Sequence, residues 1–272
     1  MRVAIIGGTG FVGSSLTDAL RAAGHEPSLL VRAGSESKVS KSARPRIITG
    51  DIASPEALRS TLQGCDAVIY NVGILREFPS RGITFEDSQY QGLVRPVDAA
   101  QATGVKRLLL MSANGVKRPG TPYQETKRKA EEHALGSGLD VTVLRPSVIF
   151  GDPQGKMEFA TQLYQDMGRP PSPAVGFFSG RNPEEGAVVM SPVHIEDVAD
   201  AFIAALSNDE TIGKTYCLGG PEVLTWTQML HRIGETTGRR KWILPMPIYL
   251  MRIGATLFDW LPFFPVTRGQ LT

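Results

Sequence analysis

Short apolar runs alternate with amphipathic stretches along the first half of the chain. The apolar runs predict six strands buried on both faces, at residues 3–6, 28–31, 46–49, 66–73, 107–112 and 140–147. Between them, stretches with a 3.6-residue period predict helices, and Ser54 followed by Pro55 marks the start of one. This alternation predicts an α/β fold, a doubly wound parallel sheet with helices on both faces.

The composition changes after Gly151, where Pro and Gly become frequent and the period weakens. We therefore expect one domain over residues 1–151 and a small, mostly helical C-terminal lobe over residues 152–272. Residues 195–206 return to a clear helical period. On this basis we expect residues 188–218 to pack partly back on the sheet.

The segment 242–265 is the most apolar part of the chain. Pro245, Pro247, Arg252 and Asp259 interrupt it, which excludes a simple membrane span. Two interpretations remain open. The segment is either a core-packing helix between proline turns or an exposed apolar surface for a protein partner or a membrane interface.

Charge and cysteine content narrow the function classes. The chain has 29 basic and 27 acidic residues, so no field of one sign exists to bind nucleic acid. Cys65 and Cys217 lie far apart without a CxxC motif, and the four histidines are scattered, so we expect no metal site. A reducing compartment and the absence of a signal peptide predict a cytoplasmic location, with the inner face of a membrane as the alternative.

A glycine cluster follows the first predicted strand and opens the first predicted helix. The spacing G-x-x-G-x-x-G gives each glycine a role: a tight turn, close approach to a pyrophosphate, and close packing of helix on strand. This context predicts a dinucleotide site, that is, a Rossmann fold. The predicted phosphate loop comprises Gly7, Thr9, Gly10, Phe11, Val12 and Gly13.

The end of the second strand indicates which dinucleotide binds. NAD sites usually place Asp or Glu there, whereas this chain has Arg32. A guanidinium matches a 2′-phosphate, and Ser35 adds a hydrogen-bonding group. We therefore predict NADP(H) as the preferred cofactor. Binding of NAD(H) stays open, as does the simpler interpretation that Arg32 is a surface arginine.

Two further strand ends supply predicted cofactor contacts. Asp51 and Ile52 follow the third strand, where the carboxylate could accept a hydrogen bond from adenine or simply cap a turn. The fourth strand ends with Asn71, Val72 and Gly73. Small residues at this turn would leave room for the cofactor to pass along the backbone. Carboxyl ends of parallel strands lie at one edge of a sheet, where ligands bind in such folds.

The stretch "TPYQETKRKAEE" at 121–132 places Tyr123 and Lys127 four residues apart, on one face of a predicted helix. A phenol beside an ammonium could serve as a proton donor. The alternating Lys, Arg and Glu residues, with Glu131 among them, instead favour an ordinary solvated helix face. The stretch alone does not decide between these interpretations.

Seven motifs occur in an ordered series: "GGTGFVG", "GDI", "YNVG", "MSANG", "YQETK", "LRPSVIFG" and "VHIEDVADAF". Together they resemble the extended and atypical branches of the short-chain dehydrogenase/reductase superfamily, which are related to nucleotide-sugar epimerases and dehydratases. The C-terminal part is similar to the nucleotide-binding accessory subunit of respiratory complex I and its bacterial relatives. That narrower resemblance implies tight binding of NADPH without an established substrate.

The superfamily resemblance implies specific catalytic roles. Tyr123 would be the general acid/base, and Lys127 would bind the nicotinamide ribose and lower the tyrosine pKa by its charge. Ser112 would orient a substrate carbonyl or hydroxyl, and Pro146 and Val148 would border the nicotinamide. Ser112 and Tyr123 are only eleven residues apart, which is shorter than in the family pattern.

The short gap leaves three functions open. The chain could be an oxidoreductase acting on a small carbonyl or quinone-like substrate. It could instead be a non-catalytic NADPH-binding subunit or assembly factor of a respiratory complex. Epimerisation or dehydration of a nucleotide sugar is a further alternative, which Arg32 disfavours because the epimerases of this family commonly use NAD.

Overall fold

The computed structural model describes residues 1–156, 158–179, 182 and 186–249. Seven parallel strands form its central sheet in the order β11-β6-β5-β4-β1-β2-β3, numbered along the chain. These strands are β1 (Arg2–Ile6), β2 (Glu26–Val31), β3 (Arg46–Thr49), β4 (Ala67–Tyr70), β5 (Arg107–Met111), β6 (Asp140–Pro146) and β11 (Thr215–Leu218). All six strands predicted from the apolar runs are present, and each strand end lies within three residues of its predicted position.

Helices cover both faces of this sheet, as the doubly wound prediction requires. They are α1 (Phe11–Ala22), α2 (Pro55–Leu62), α3 (Gly92–Thr103), α4 (Pro122–Leu135) and α6 (Ile195–Leu206). Apolar residues of α2, α3 and α4 pack with Ala4 and Ile6 of β1 in one core cluster. Successive strand residues point to opposite faces, so Val3 and Ile5 are buried on the other side, where α1 packs against α6. The predicted cap of α2 is confirmed, since the Ser54 hydroxyl accepts the Ala57 N–H.

The chain divides into two compact units, residues 1–146 with 195–218 and residues 147–194 with 219–272. The first unit holds the sheet, and hydrogen bonds from Arg107 connect the sheet to the later segment of this unit, residues 195–218. The guanidinium of Arg107 donates to the Thr142 hydroxyl, the Ala205 carbonyl and the Thr211 hydroxyl. The sequence pattern missed β11, which is only half-buried and lacks a continuous apolar run.

The second unit contains strands as well as helices. Its described elements are β7 (Ile149–Phe150), α5 (Phe159–Leu163), β8 (Ala174–Phe178), β9 (Val189–Met190), β10 (Val193–His194), β12 (Leu224–Thr225), α7 (Trp226–Thr236) and β13 (Ile243–Pro247). Strands β7 and β10, β8 and β13, and β9 and β12 form three separate pairs. The two-residue strands β7, β9, β10 and β12 are too short to show alternation in a sequence, and the five-residue β8 and β13 pair across about seventy residues of chain, so only the helical part of this lobe was predicted.

The interpretation of 242–265 as a helix does not hold for residues 243–247, whereas residues 248–249, directly after Pro247, are helical. Ile243–Pro247 form β13, which pairs in parallel with Ala174–Phe178. Prolines fit here because β13 has a ladder partner on one edge only. Residues 250–265 lie outside the described residues. Within the described part of the chain, no helix is both long and apolar enough to cross a bilayer.

Candidate nucleotide-binding and catalytic site

Two glycines of the loop between β1 and α1 are required by packing inside the protein. Gly7 has φ +97°, and a Cβ at this position would lie 2.5 Å from the Asn71 carbonyl oxygen. A Cβ on Gly13 would lie 2.1 Å from the Gly7 carbonyl oxygen and 2.7 Å from the Gly8 Cα. The loop therefore packs backbone against backbone, which holds the start of α1 close to the ends of β1 and β4.

Gly10 has no such internal reason to be glycine. A Cβ there would have its nearest neighbour, the Gly7 carbonyl oxygen, at 3.8 Å. Gly10 caps α1 without any side-chain hydrogen bond, and the Ser14 N–H donates to its carbonyl. The N–H groups of Phe11 and Val12 precede that bond, so the helix start presents open donors beside half-buried Thr9. Open donors and an open cradle fit a pyrophosphate.

Arg32 lies directly after β2, at the same edge of the sheet. Its side chain is exposed, and its guanidinium has no ion-pair or hydrogen-bond partner among the described residues. The Ser35 N–H donates to the Arg32 carbonyl at 2.9 Å, which holds Ser35 in a turn beside it. An unpaired guanidinium with a neighbouring hydroxyl suits a phosphate ligand.

Asp51 and Ile52 follow β3 at this edge. The Asp51 carboxylate accepts the Ala53 N–H at 2.8 Å, so the turn-capping interpretation of Asp51 describes an observed contact. Ile52 packs against the core cluster. The Gly50 N–H donates to the Val31 carbonyl, which brings the ends of β2 and β3 together.

The end of β4 reaches the catalytic candidates on α4. The Asn71 N–H donates to the Ile6 carbonyl, which extends the sheet ladder into this turn. The Lys127 ammonium donates to the carbonyls of Met111 at 3.3 Å and Val72 at 3.5 Å. A Cβ on Gly73 would lie 3.3 Å from Lys127 Nζ. The ends of β4 and β5 therefore enclose the ammonium.

A capping box sets the start of α4. The Thr121 hydroxyl accepts the Gln124 N–H, and the Gln124 side chain accepts the Thr121 N–H. Gln124 Nε2 also donates to the Gly115 carbonyl, and the Gly120 N–H donates to Glu125, so the short segment before α4 closes onto its first turn. This arrangement puts Tyr123 in the first turn of the helix and Lys127 one turn later.

Burial shifts both catalytic candidates towards their uncharged forms. Desolvation lowers the pKa of Lys127 to about 8 and raises the pKa of Tyr123 to about 12. The expected lowering of the Tyr123 pKa by Lys127 is not found, because burial is the cause acting on the phenol. The Phe85 ring packs edge-on against the Tyr123 ring with centroids 5.7 Å apart. Tyr123 is thus a neutral phenol near neutral pH.

Ser112 is buried at the end of β5, and its hydroxyl has no hydrogen-bond partner among the described residues. Its N–H donates to the Leu144 carbonyl, which fixes the backbone at this point. A buried hydroxyl without a partner leaves a donor and acceptor open for a ligand. Pro146 ends β6 in the same unit, whereas Val148 belongs to the second unit, where its carbonyl accepts the Val193 N–H.

Sequence reasoning missed three polar residues near this site. Glu131 was expected on a solvated helix face, but only 1% of it is exposed, and its carboxylate is bound by Arg145 of β6. Gln89 is also buried, where it donates to the Ile74 carbonyl and accepts the Thr126 hydroxyl. The four-residue spacing of Lys127 and Glu131 was the sequence signal that could have indicated a buried Glu131, because it places both residues on one face of the helix. No local pattern indicated Gln89.

The residues present fit a nicotinamide dinucleotide, and comparison with known families agrees. The sequence profile of a family described as NAD(P)H-binding matches residues 7–172, which is more than half of the chain. This chain belongs to the NAD(P)H-binding family. Its matched region begins at Gly7 and includes every predicted site residue.

Individual relatives extend this assignment. The chain is 27% identical to ceramide reductase of Caulobacter vibrioides over 253 residues, covering 90% of this chain and 73% of the relative. It is also 27% identical to the mitochondrial NADH dehydrogenase [ubiquinone] 1 alpha subcomplex subunit 9 of Arabidopsis thaliana, covering 90% of this chain but 60% of that subunit. The resemblance to complex I accessory subunits is confirmed.

A solved structure matches the fold. The UDP-glucose-4-epimerase of Stenotrophomonas maltophila superimposes with a TM-score of 0.76 at 23% identity, covering 91% of this chain and 86% of the epimerase. The predicted Rossmann fold with an epimerase-like architecture is therefore confirmed. At this level of identity the likeness concerns the fold alone.

Proposed function

We propose that this protein binds NADP(H) and acts as an oxidoreductase on a small carbonyl or quinone-like substrate. The observation that carries the proposal is the arrangement of Tyr123, Lys127 and Ser112. The tyrosine and lysine lie one turn apart on α4, the ammonium binds the ends of β4 and β5, and the serine hydroxyl is buried without a partner. The reductase activity in the name of the Caulobacter relative supports this class of reaction.

Each side chain has a role that its environment supports. The bound nucleotide supplies the hydride in a reduction. Tyr123 is protonated below a pKa of about 12 and donates its proton to the substrate oxygen, so the resting site is set for reduction. Ser112 orients that oxygen with its free hydroxyl, and Lys127 hydrogen-bonds the nicotinamide ribose. A cytoplasmic location supplies the reduced nucleotide.

Replacing Tyr123 with phenylalanine tests the catalytic role. We expect the purified protein to oxidise NADPH with at least one member of a panel of aldehydes, ketones and quinones. Tyr123→Phe should lower kcat by about 10²–10⁴ because the proton donor is lost, while NADPH affinity is unchanged. Tyr90→Phe is the matched control, since the Tyr90 ring packs under Lys129 outside the site. Equal turnover by Tyr123→Phe and the unmodified protein would contradict the role.

Arg32 is proposed to select NADP(H) through the 2′-phosphate. We expect fluorescence titration to give tighter binding of NADPH than NADH, and mass spectrometry of the released nucleotide to detect NADP(H). Arg32→Asp should weaken NADPH binding at least about tenfold, because it replaces a charge-assisted contact with repulsion, and should leave NADH binding nearly unchanged. Lys38→Asp, on the same exposed loop, is the control. Equal losses for both nucleotides would contradict selection by Arg32.

A second candidate is a non-catalytic NADPH-binding subunit or assembly factor. It is favoured by an exposed surface around β13, where Trp242 is 85%, Leu244 50% and Tyr249 58% exposed. Trp242 directly precedes β13, where its carbonyl accepts the Ala174 N–H, and Leu244 lies two residues later on the strand, so the two side chains share a face. The preceding basic triplet 239–241 makes this surface suited to an anionic membrane interface. The Arabidopsis relative is named as a subunit of mitochondrial NADH dehydrogenase [ubiquinone].

Retention of NADPH without turnover of any panel member would favour this second candidate. Co-sedimentation with phosphatidylglycerol vesicles, but not with phosphatidylcholine vesicles, would support the membrane surface. Loss of co-sedimentation in a Trp242→Ser/Leu244→Ser double variant would assign it to this surface. Binding that is unchanged in that variant would exclude β13 as the contact.

A further inference from the structure

A buried ion pair lies one helical turn beyond Lys127. Glu131 follows Lys127 by four residues on α4, so the two side chains share a face. Both carboxylate oxygens of Glu131 are bound by Arg145, with Nε donating to Oε1 at 2.8 Å and Nη2 donating to Oε2. Arg128 approaches the same carboxylate at 3.5 Å. The carboxylate is therefore held in one orientation by the neighbouring strand β6.

Lys127 needs a compensating charge because its ammonium is buried. Its hydrogen-bond acceptors are the neutral carbonyls of Val72 and Met111, and the ionisable side chain at the end of β4, the Tyr70 phenol, is kept neutral because burial raises its pKa. Tyr123, on the same helix, is neutral near neutral pH. Burial lowers the pKa of Lys127, and the charge of Glu131 opposes that shift. An uncompensated buried ammonium would lose its proton instead.

We propose that Glu131, oriented by Arg145, is a positioning residue that supplies the compensating negative charge for the buried Lys127 ammonium in nucleotide binding. The inference rests on the proposed function, in which the Lys127 ammonium contacts the nucleotide ribose. A neutral Lys127 is a weaker donor to a hydroxyl than an ammonium. The affinity for NADPH then depends on pH, and Glu131 sets the pH at which affinity is lost.

Glu131→Gln tests this role because it removes the charge while keeping the size of the side chain. NADPH affinity is measured by fluorescence titration from about pH 6 to about pH 9, a range that spans the Lys127 pKa. In the unmodified protein, affinity should fall as the pH rises through about 8. In Glu131→Gln, the same fall should begin about one pH unit lower, so that affinity at about pH 7.5 drops roughly threefold and recovers at about pH 6.

Two further variants make the outcome decisive. Glu132→Gln removes the exposed neighbour that pairs with Arg128, and we expect no change in the pH profile. Arg145→Gln keeps the Glu131 charge and removes the cation that offsets it, so the fall in NADPH affinity should move to higher pH than in the unmodified protein. This variant tests the charge independently if Glu131→Gln fails to fold, since a fall at unchanged or lower pH in Arg145→Gln would overturn the proposal.

The failure of this inference can be told from the failure of the proposed function. If the unmodified protein binds no NADPH at any pH, the proposed function is wrong. If it binds NADPH but Glu131→Gln lowers the affinity equally at every pH, Glu131 is only structural and the inference is wrong. An unchanged profile in a folded Glu131→Gln would overturn it as well.

Discussion

Lys127→Met is expected to stabilise the nucleotide-free protein while weakening its binding of NADPH. The buried ammonium is held by backbone carbonyls and opposed by desolvation, which lowers its pKa from 10.5 to about 8. A depression of this size corresponds to about 3 kcal/mol of stability at neutral pH. Methionine has a similar length and no charge to desolvate. The melting temperature should therefore rise by roughly 5 °C.

The pH dependence follows from the direction of the shift. Between about 8 and 10.5, Lys127 of the folded protein has released a proton that the unfolded chain still holds. The free energy of unfolding contributed by this group therefore rises with pH across that window and is lowest below it. The stability difference between Lys127→Met and the unmodified protein should be full near pH 7 and should disappear as the pH approaches 10.5.

The same substitution removes the proposed donor to the nucleotide ribose. Losing a charge-assisted hydrogen bond should weaken NADPH binding by about 10- to 100-fold. Denaturant unfolding with and without NADPH measures both effects on one sample. Lys129→Met is the control on the same helix, where the side chain is exposed and pairs with Glu86. Lower stability together with unchanged affinity in Lys127→Met would refute a functional ammonium.

Lys127 is expected to lower the stability of the nucleotide-free protein and to strengthen its binding of NADPH, and this combination makes a buried lysine an indicator of a functional site. A group that costs free energy in the folded protein, and that no internal salt bridge fully compensates, is typical of functional sites. The hydroxyl of Ser112 and the guanidinium of Arg32, which have no polar partner among the described residues, are of the same kind. All three lie in the first unit and follow or contact strand ends, which is where the fold presents ligands.

The sheet and the nucleotide loop were predictable because their signals are local. A buried parallel strand is a continuous apolar run, and Gly7, Gly10 and Gly13 lie within seven residues at the junction of a strand and a helix. Arg32 was predictable for the same reason, since its position relative to β2 determines its place at the sheet edge. Such elements can be predicted from residues that are neighbours in the sequence.

Charge environments inside the site were not predictable, because distant residues create them. Glu131 looks like a solvated glutamate in its own helix, and only the packing of β6 brings Arg145 to it. The direction of the Tyr123 shift failed for the same reason, since Phe85 and the surrounding burial outweigh the nearby lysine. Strand β13 was not predicted, because its pairing with β8 spans some seventy residues of chain.

Gly10→Ala and Gly13→Ala both add one methyl group to the same loop, but they are expected to change different properties. Gly10→Ala should weaken NADPH binding, and Gly13→Ala should lower the stability of the protein. At Gly10 the new Cβ would have 3.8 Å to its nearest neighbour, so the protein accommodates it with a loss well under about 1 kcal/mol. The methyl group would instead occupy open space at the start of α1, where the pyrophosphate is proposed to bind. NADPH affinity should fall at least about tenfold, because charge-assisted bonds to the pyrophosphate are lengthened or lost.

At Gly13 the added Cβ would meet backbone atoms that cannot move aside, 2.1 Å from the Gly7 carbonyl oxygen. Helix α1 would have to move away from β1, and we expect a loss of stability of roughly 1–3 kcal/mol or more. Thermal unfolding of the nucleotide-free variants, together with NADPH titration, separates the two effects. A destabilised Gly10→Ala with normal affinity would show that Gly10 serves packing. It would remove the open cradle on which the phosphate assignment depends.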